Sequence, residues 1–489
     1  MFTQRSRMRR VAATAGTLML ALTGVLGVGT AASAATVGPD QPDAPSNGTL
    51  TINLYEGETG QNAGDLAGNG GLSGIEFTVQ QVGVKSGSTC TPIDLKDASQ
   101  WEGLDALFAT APAAPADPYC ATTVDVDVTK SGTVEFNLPV GVYFVQETGH
   151  GDNNVVSEVP NFYVSIPTSD GTSGAGWNYN VVANPKNQLM GEPTKVISDR
   201  PADLTIGSTV GFIITIPVPT LNNNETFTEA VVNDKLDGRL SLVAGSSTIK
   251  VGGTTLVEGT HYTVASDASW TLNEAGRKVL DANMGGTMTL TFDTTVLSVG
   301  DGAVPNTDYS TTFNGTKVPG SSDTYSYWGQ LGINKTDDSD TPNPLEGAEF
   351  QVFELTADTC PATVPATGAV ATGTSNASGD VIWNESGSAL QGLWVSNVNG
   401  GPAADTQTKD YCVYETVVPA GHTAVAVDNP VTITAGEDNA NVFTVVNAKT
   451  EGPNLPLTGA QGTLLMTVGG ILLVVLGGGG MVIARRNNN

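Results

Sequence analysis

Hydrophobic residues along this chain come in short, β-branched runs closed off by turn-forming ones. Thr51-Ile52-Asn53-Leu54-Tyr55, Val210-Gly211-Phe212-Ile213-Ile214-Thr215-Ile216 and Val442-Phe443-Thr444-Val445-Val446 are examples. The pattern predicts strands of β-sandwiches. A first region opens with a strand over 50–55, passes through a Gly/Asn-rich loop, continues with a strand over 74–79 and closes through 138–148. A third region repeats that plan. Leu331-Gly332-Ile333-Asn334-Lys335 opens it, Gly347-Ala348-Glu349-Phe350-Gln351-Val352 parallels 74–79, and Tyr411-Cys412-Val413-Tyr414-Glu415-Thr416 parallels 143–148. A different module lies between the two copies. Helical signals are few, and 98–109 and 273–282 are expected as short surface helices.

Two longer apolar runs stand apart from this pattern, one at each end. Arg5, Arg7, Arg9 and Arg10 precede an apolar core from Val11 to about Gly29, and Ala32-Ser33-Ala34 follows as a small-residue cleavage site, the layout of a secretory signal peptide. At the other end an apolar run from about Thr463 to Ala484 precedes Arg485 and Arg486. A membrane helix needs roughly 20 apolar residues, and basic residues beyond it favour the cytoplasmic side. Both ends read as processing signals. The expected division is a signal peptide over 1–34, domains over 35–186, 187–324 and 325–450, and a terminal signal with its membrane helix and basic tail over 451–489.

The ends sharpen the charge. Of 21 basic residues six lie in 1–34 and 459–489, and of 49 acidic residues none do, so the exported part from 35 to 458 carries 15 basic against 49 acidic, a net charge of about −34. Such a surface repels nucleic acid and anionic lipid. Export permits disulfides. Cys90, Cys120, Cys360 and Cys412 allow three connectivities, of which the within-domain pairs 90–120 and 360–412 are the simplest. No CxxC or histidine cluster points to a metal, and no cofactor is expected. The chain has only His150, His261 and His422, with no G-x-S-x-G elbow and no HExxH helix, which argues against a hydrolase.

Three motifs add chemistry. Leu455-Pro456-Leu457-Thr458-Gly459, set just before the apolar run, resembles the LPxTG signal of sortases, the transpeptidases that cut after the Thr and join its carbonyl to an amine. Trp177-Asn178-Tyr179-Asn180-Val181-Val182-Ala183-Asn184-Pro185-Lys186 resembles the pilin motif W-x3-V-x-V-Y-P-K. It keeps Trp177, Val181, Pro185 and Lys186 and departs at Ala183 and Asn184. Tyr411-Cys412-Val413-Tyr414-Glu415-Thr416-Val417-Val418-Pro419-Ala420-Gly421-His422 resembles the E-box. Together they make the chain similar to the shaft pilins of sortase-assembled Gram-positive fimbriae, strings of Ig-like modules related to the A and B types of collagen-binding adhesins.

That resemblance implies an all-β chain of tandem Ig-like sandwiches, B-type in the first and third domains and A-type in the middle, and a structural role rather than catalysis. It implies that the Lys186 amine, on an exposed side chain, accepts the Thr458 carbonyl of another subunit. It implies an internal amide bond between Lys335 and Asn447 promoted by Glu415. A second such bond would start from Lys195, promoted by Asp234, with Asn314 as the expected partner and Asn306 as the alternative. The first domain has Glu147 in a similar setting but, by this reading, Asn53 at the lysine position, so no amide bond is expected there and the 90–120 disulfide stands in its place. The implied partners are a pilus-specific and a housekeeping sortase, other copies of the chain, tip and base pilins, peptidoglycan, and an unidentified host or bacterial surface ligand. The implied location is the cell wall, on surface fimbriae. The alternative reading is a monomeric wall-anchored adhesin with Lys186 unused.

Overall fold

The computed structural model describes residues 37–57, 71–169, 176–198, 200–222 and 224–450, with the backbone alone for 437–440. The signal peptide, the sorting signal Leu455–Gly459 with Thr458, and the terminal apolar run lie outside the described residues.

In the first domain, strand Asn47–Asn53 pairs antiparallel with Thr133–Pro139 and parallel with Asn180–Ala183. The facing sheet is built on Glu76–Ser86, flanked by Tyr119–Val128 and Gly141–Gly149, with Phe162–Ile166 beyond. Period-two alternation turns Leu50, Ile52, Phe77, Val79, Phe136 and Val145 into one buried layer. The stretch expected as one surface helix splits into a 3-10 turn, Ala98–Trp101, and a single helical turn, Leu104–Phe108. Gly103, with φ of 85°, separates them. Both keep an exposed face, with Ser99, Gln100, Asp105 and Ala106 outward, while Trp101, Leu104, Leu107 and Phe108 fill a satellite core with Phe144 and Tyr163.

The middle domain stacks Thr194–Ile197, Thr209–Pro217, Thr287–Val296 and Thr248–Val251 against a second sheet of Tyr262–Ala265, Ser269–Leu272, Ala230–Asp234, Tyr309–Phe313 and Thr316–Pro319. Val210, Phe212, Ile214 and Ile216 all point inward from one strand, and Phe212, Phe292 and Trp270 stack at its centre. Helix Glu274–Asp281 sits where the sequence places it, capped by the Asn273 side chain on the N–H groups of Ala275 and Gly276.

The described residues form two compact units, one reaching Trp328 and including Trp394–Gln407, the other holding Gly329–Leu393 and the rest from Thr408. The 394–407 segment, expected inside the third domain, therefore belongs with the first unit. Its Trp394 N–H donates to the Leu204 carbonyl, and Asn399 accepts from the Ile197 N–H. In the second unit, Glu349–Glu354 and Thr408–Val417 anchor a five-stranded sheet. There the first strand meets the last in parallel, with Lys335 opposite Val445 and Asp337 opposite Asn447. The disulfides join Cys90 to Cys120 and Cys360 to Cys412.

Candidate functional site

Parallel pairing of a domain's first and last strands sets inward-facing residues from both ends of the chain side by side. In the third domain it brings together Lys335 and Asn447, with Glu415 arriving from the opposite sheet. All three side chains are buried. Lys335 Nζ lies 3.9 Å from Glu415 Oε1 and donates to the carbonyls of Val445 at 3.0 Å and Thr336 at 3.3 Å. Asn447 Nδ2 donates to Glu415 Oε1 at 2.8 Å. Burial lowers the Lys335 amine, against the pull of Glu415. Burial raises the Glu415 carboxyl, against the Asn447 hydrogen bond and the Lys335 charge. Both directions favour the uncharged forms. Glu415 Oε2 and Asn447 Oδ1 make no hydrogen bond among the described residues.

The middle domain holds a second such cluster, and it corrects the partner expected for Lys195. Lys195 Nζ lies 2.7 Å from Asp234 Oδ2 and donates to Asn306 Oδ1 at 2.8 Å and to the Asn306 carbonyl at 3.3 Å. Asn306 Nδ2 in turn donates to Asp234 Oδ2 at 3.3 Å. All three residues are buried. Asn314 is elsewhere. It occupies the turn after Tyr309–Phe313 with φ of 47°, and its side chain caps the N–H groups of Thr228 and Glu229. That turn conformation favours Asn for local reasons, and it sets Asn314 apart from the Lys195 cluster. Burial lowers Lys195 to about 8, against the charge of Asp234, and raises Asp234, against Lys195 and Asn306. The Tyr309 ring lies beneath the amine, its centroid 4.1 Å from Nζ, and its hydroxyl donates to the Pro193 carbonyl.

The first domain has the acid and the amide without the amine. Asn187 Nδ2 donates to Glu147 Oε1 at 2.7 Å, and the Val159 N–H donates to Oε2 at 3.0 Å. Burial pushes Glu147 up to about 7. His150 Nε2 stands 3.6 Å from Glu147 and 2.9 Å from Glu158. Register identifies the lysine position. Lys335 sits opposite the residue two before Asn447. The residue two before Asn187 is Pro185, and with Lys186 opposite Tyr55 the position facing it is Leu54. Leu54 is fully buried in the core. The expected Asn53 faces away, bonded through its side chain to Asn184 and Thr133. The lysine position is therefore Leu54, and the conclusion that this domain lacks the amine is unchanged. Leu50-Thr51-Ile52-Asn53-Leu54 beside Leu331-Gly332-Ile333-Asn334-Lys335 carries that signal in sequence. Asn187 was not singled out by sequence, because the domain was expected to end one residue earlier. Its strand runs Lys186–Leu189.

The pilin-motif residues line the end of the same domain. Trp177 meets Trp101 edge to face at 5.1 Å. Val181 pairs with Leu50, and the Pro185 carbonyl accepts from the Tyr55 N–H. Lys186 was expected exposed and is not: it is 6% exposed. Its strand is the middle one of three, between Tyr55–Glu56 and Val155–Ser157, with Lys186 itself opposite Tyr55.

Comparison with known proteins settles the family. Residues 41–188 match the Gram-positive pilin subunit D1, N-terminal domain, and 447–489 match the LPXTG cell wall anchor motif. Fimbrial subunit type 2 of Actinomyces naeslundii is 30% identical over 94% of this chain and 93% of its own length. The chain belongs to the Gram-positive fimbrial subunits. Fimbrial subunit type 1 of Actinomyces viscosus is 29% identical over 88% of each chain. The full-length major pilin SpaD of Corynebacterium diphtheriae, 24% identical, superposes with a TM-score of 0.60 over 84% of this chain and all of its own, which shows the shared Ig-like architecture. This fimbrial subunit is a shaft pilin of a polymerised, sortase-assembled pilus, exported and anchored at the cell wall. It is a structural protein, not an enzyme.

Proposed function

We propose that successive copies of this pilin are joined head to tail through the Thr458 carbonyl and the Lys186 amine. A pilus-specific sortase would release the Gly459 amine and hold the Thr458 acyl group as a thioester. The neutral Lys186 amine would displace the enzyme thiol and lose a proton, leaving one amide. A housekeeping sortase would pass the finished fibre to peptidoglycan, with tip and base pilins at its ends and adhesion as its use. The observation that carries this reading is Lys186 at the exit of the matched D1 domain in a chain that also carries the sorting signal. Lys186→Ala should abolish the high-mass ladder of wall extracts boiled in detergent. A persisting ladder would reject Lys186 as the acceptor.

Within each subunit, the two buried clusters support spontaneous amide bonds, Lys335 to Asn447 and Lys195 to Asn306. A neutral amine attacks the asparagine side-chain carbonyl carbon, the acid protonates the leaving nitrogen and takes back the proton the amine loses, and ammonia leaves as the new amide forms. Asn447 now donates to Glu415. Turned over about its last torsion, the same amide presents Oδ1 to a protonated Glu415 Oε2, the two atoms with no present partner. Enclosure holds the atoms in contact, so one slow turnover suffices.

A further inference from the structure

We propose that Asn187 and Glu147 are positioning residues for the acceptor amine: the buried hydrogen bond between them holds the strand that delivers Lys186 to the sortase. This rests on the reading of Lys186 as acceptor.

A buried carboxyl is costly unless it is fully bonded and used. In the third domain the equivalent acid faces an amine. Here Leu54 fills that place, so Glu147 has no amide bond to promote. Both of its oxygens are nevertheless engaged, one by Asn187 at 2.7 Å and one by the Val159 N–H at 3.0 Å.

Asn187 directly follows Lys186. Neighbouring residues on a strand point to opposite faces, so tethering Asn187 inward on Glu147 fixes Lys186 to the other face. The strand's other side-chain anchor is Gln188, bonded to the Gly57 carbonyl and to Thr220, and its backbone pairing is short and irregular. One neighbour is the two-residue strand Tyr55–Glu56, whose flanking contacts, Tyr55 N–H to Pro185 and Gly57 N–H to Asn187, are each 3.3 Å long. Pairing on the other side shifts register between Gln188 and Leu189. Lys186 must also be uncovered before it reacts, since the residue is 6% exposed. With Asn187 pinned from beneath, the strand stays in place as Lys186 is uncovered, and the amine keeps the orientation that joining requires.

The test uses the full exported chain as acceptor, a pilus-class sortase, and a peptide carrying the Leu455–Gly459 sequence as donor. Joining rates and melting temperatures are measured for Lys186→Ala, Asn187→Ala, Glu147→Ala, Glu147→Gln and the core variant Val164→Ala. Lys186→Ala should give no product. Asn187→Ala and Glu147→Ala should lower kcat/KM for the acceptor about tenfold or more, chiefly in kcat. Glu147→Gln, which keeps an oxygen to accept from Asn187 but turns an amide NH2 toward the Val159 N–H, should join faster than Glu147→Ala. Val164→Ala, which thins the same core away from the strand, should lose stability and join at the wild-type rate. The proposal is overturned if Asn187→Ala stays within about twofold of wild type while Lys186→Ala is inactive, or if Val164→Ala slows as much for the same loss of melting temperature. If Lys186→Ala still joins, the acceptor assignment fails and this proposal fails with it.

Discussion

Asn306 places its side-chain oxygen 2.8 Å from the Lys195 amine, and its amide nitrogen 3.3 Å from the Asp234 carboxylate that the same amine contacts. The residue between the strands, not the one in the turn after them, is thus set for attack. Asn306→Ala should abolish the middle-domain amide bond, and Asn314→Ala should leave it intact. Intact-mass measurement separates the two, since each bond formed removes about 17 Da as ammonia.

Asp234→Ala leaves Lys195 buried without its counter-charge. The variant should lose the bond and about 3–5 kcal/mol of middle-domain stability. Denaturant unfolding of the exported chain checks the second figure, and mass the first.

Gly320 is small because Tyr309 is beside it. A Cβ there would stand 2.0 Å from the Tyr309 Cζ, and the ring is what lies under the Lys195 amine. Gly320→Ala should push Tyr309 out of place, cost about 1–3 kcal/mol, and slow formation of the Lys195–Asn306 bond. A time course of mass after refolding would show a longer lag than wild type.

Much of this was legible in the sequence, and the misses share a cause. Alternating strands follow from patterns local to each strand, the 360–412 and 90–120 pairs from keeping each pair within one domain, and the Lys335, Glu415 and Asn447 positions from the E-box resemblance. Asn306 and Leu54 follow from none of these. Choosing between Asn306 and Asn314 needs the path of the chain into the last strand, and choosing Leu54 over Asn53 needs register, where a slip of one residue reverses the face. The Ala98–Phe108 stretch is two short turns rather than one helix because Gly103, with φ of 85°, breaks it. Burial of Lys186 is a tertiary property, which no local pattern reports.

Glu147 makes stability depend on pH. Its carboxyl sits at about 7 in the fold against an ordinary value of 4.5. Between those values the folded chain holds a proton that the unfolded chain releases, so the stability this group contributes is full below pH 4.5 and falls as pH rises through about 7. The loss is at most about 3 kcal/mol. Melting temperatures of wild type minus Glu147→Gln, followed from acid to mildly alkaline pH, should decline across that window and then level. A flat difference would contradict the assignment.

Glu415→Ala should leave Lys335 and Asn447 unjoined while the middle-domain bond still forms. The variant would then show one ammonia loss instead of two. Trypsin digestion should open its third domain sooner, because the first and last strands of that domain are no longer tied.

The most direct measurement is tandem mass spectrometry of protease-digested fibres released from the wall. The account predicts a branched peptide in which the Lys186 side-chain nitrogen carries an acyl chain ending in Leu455-Pro456-Leu457-Thr458. Peptides in which Lys186 is always unmodified would contradict it.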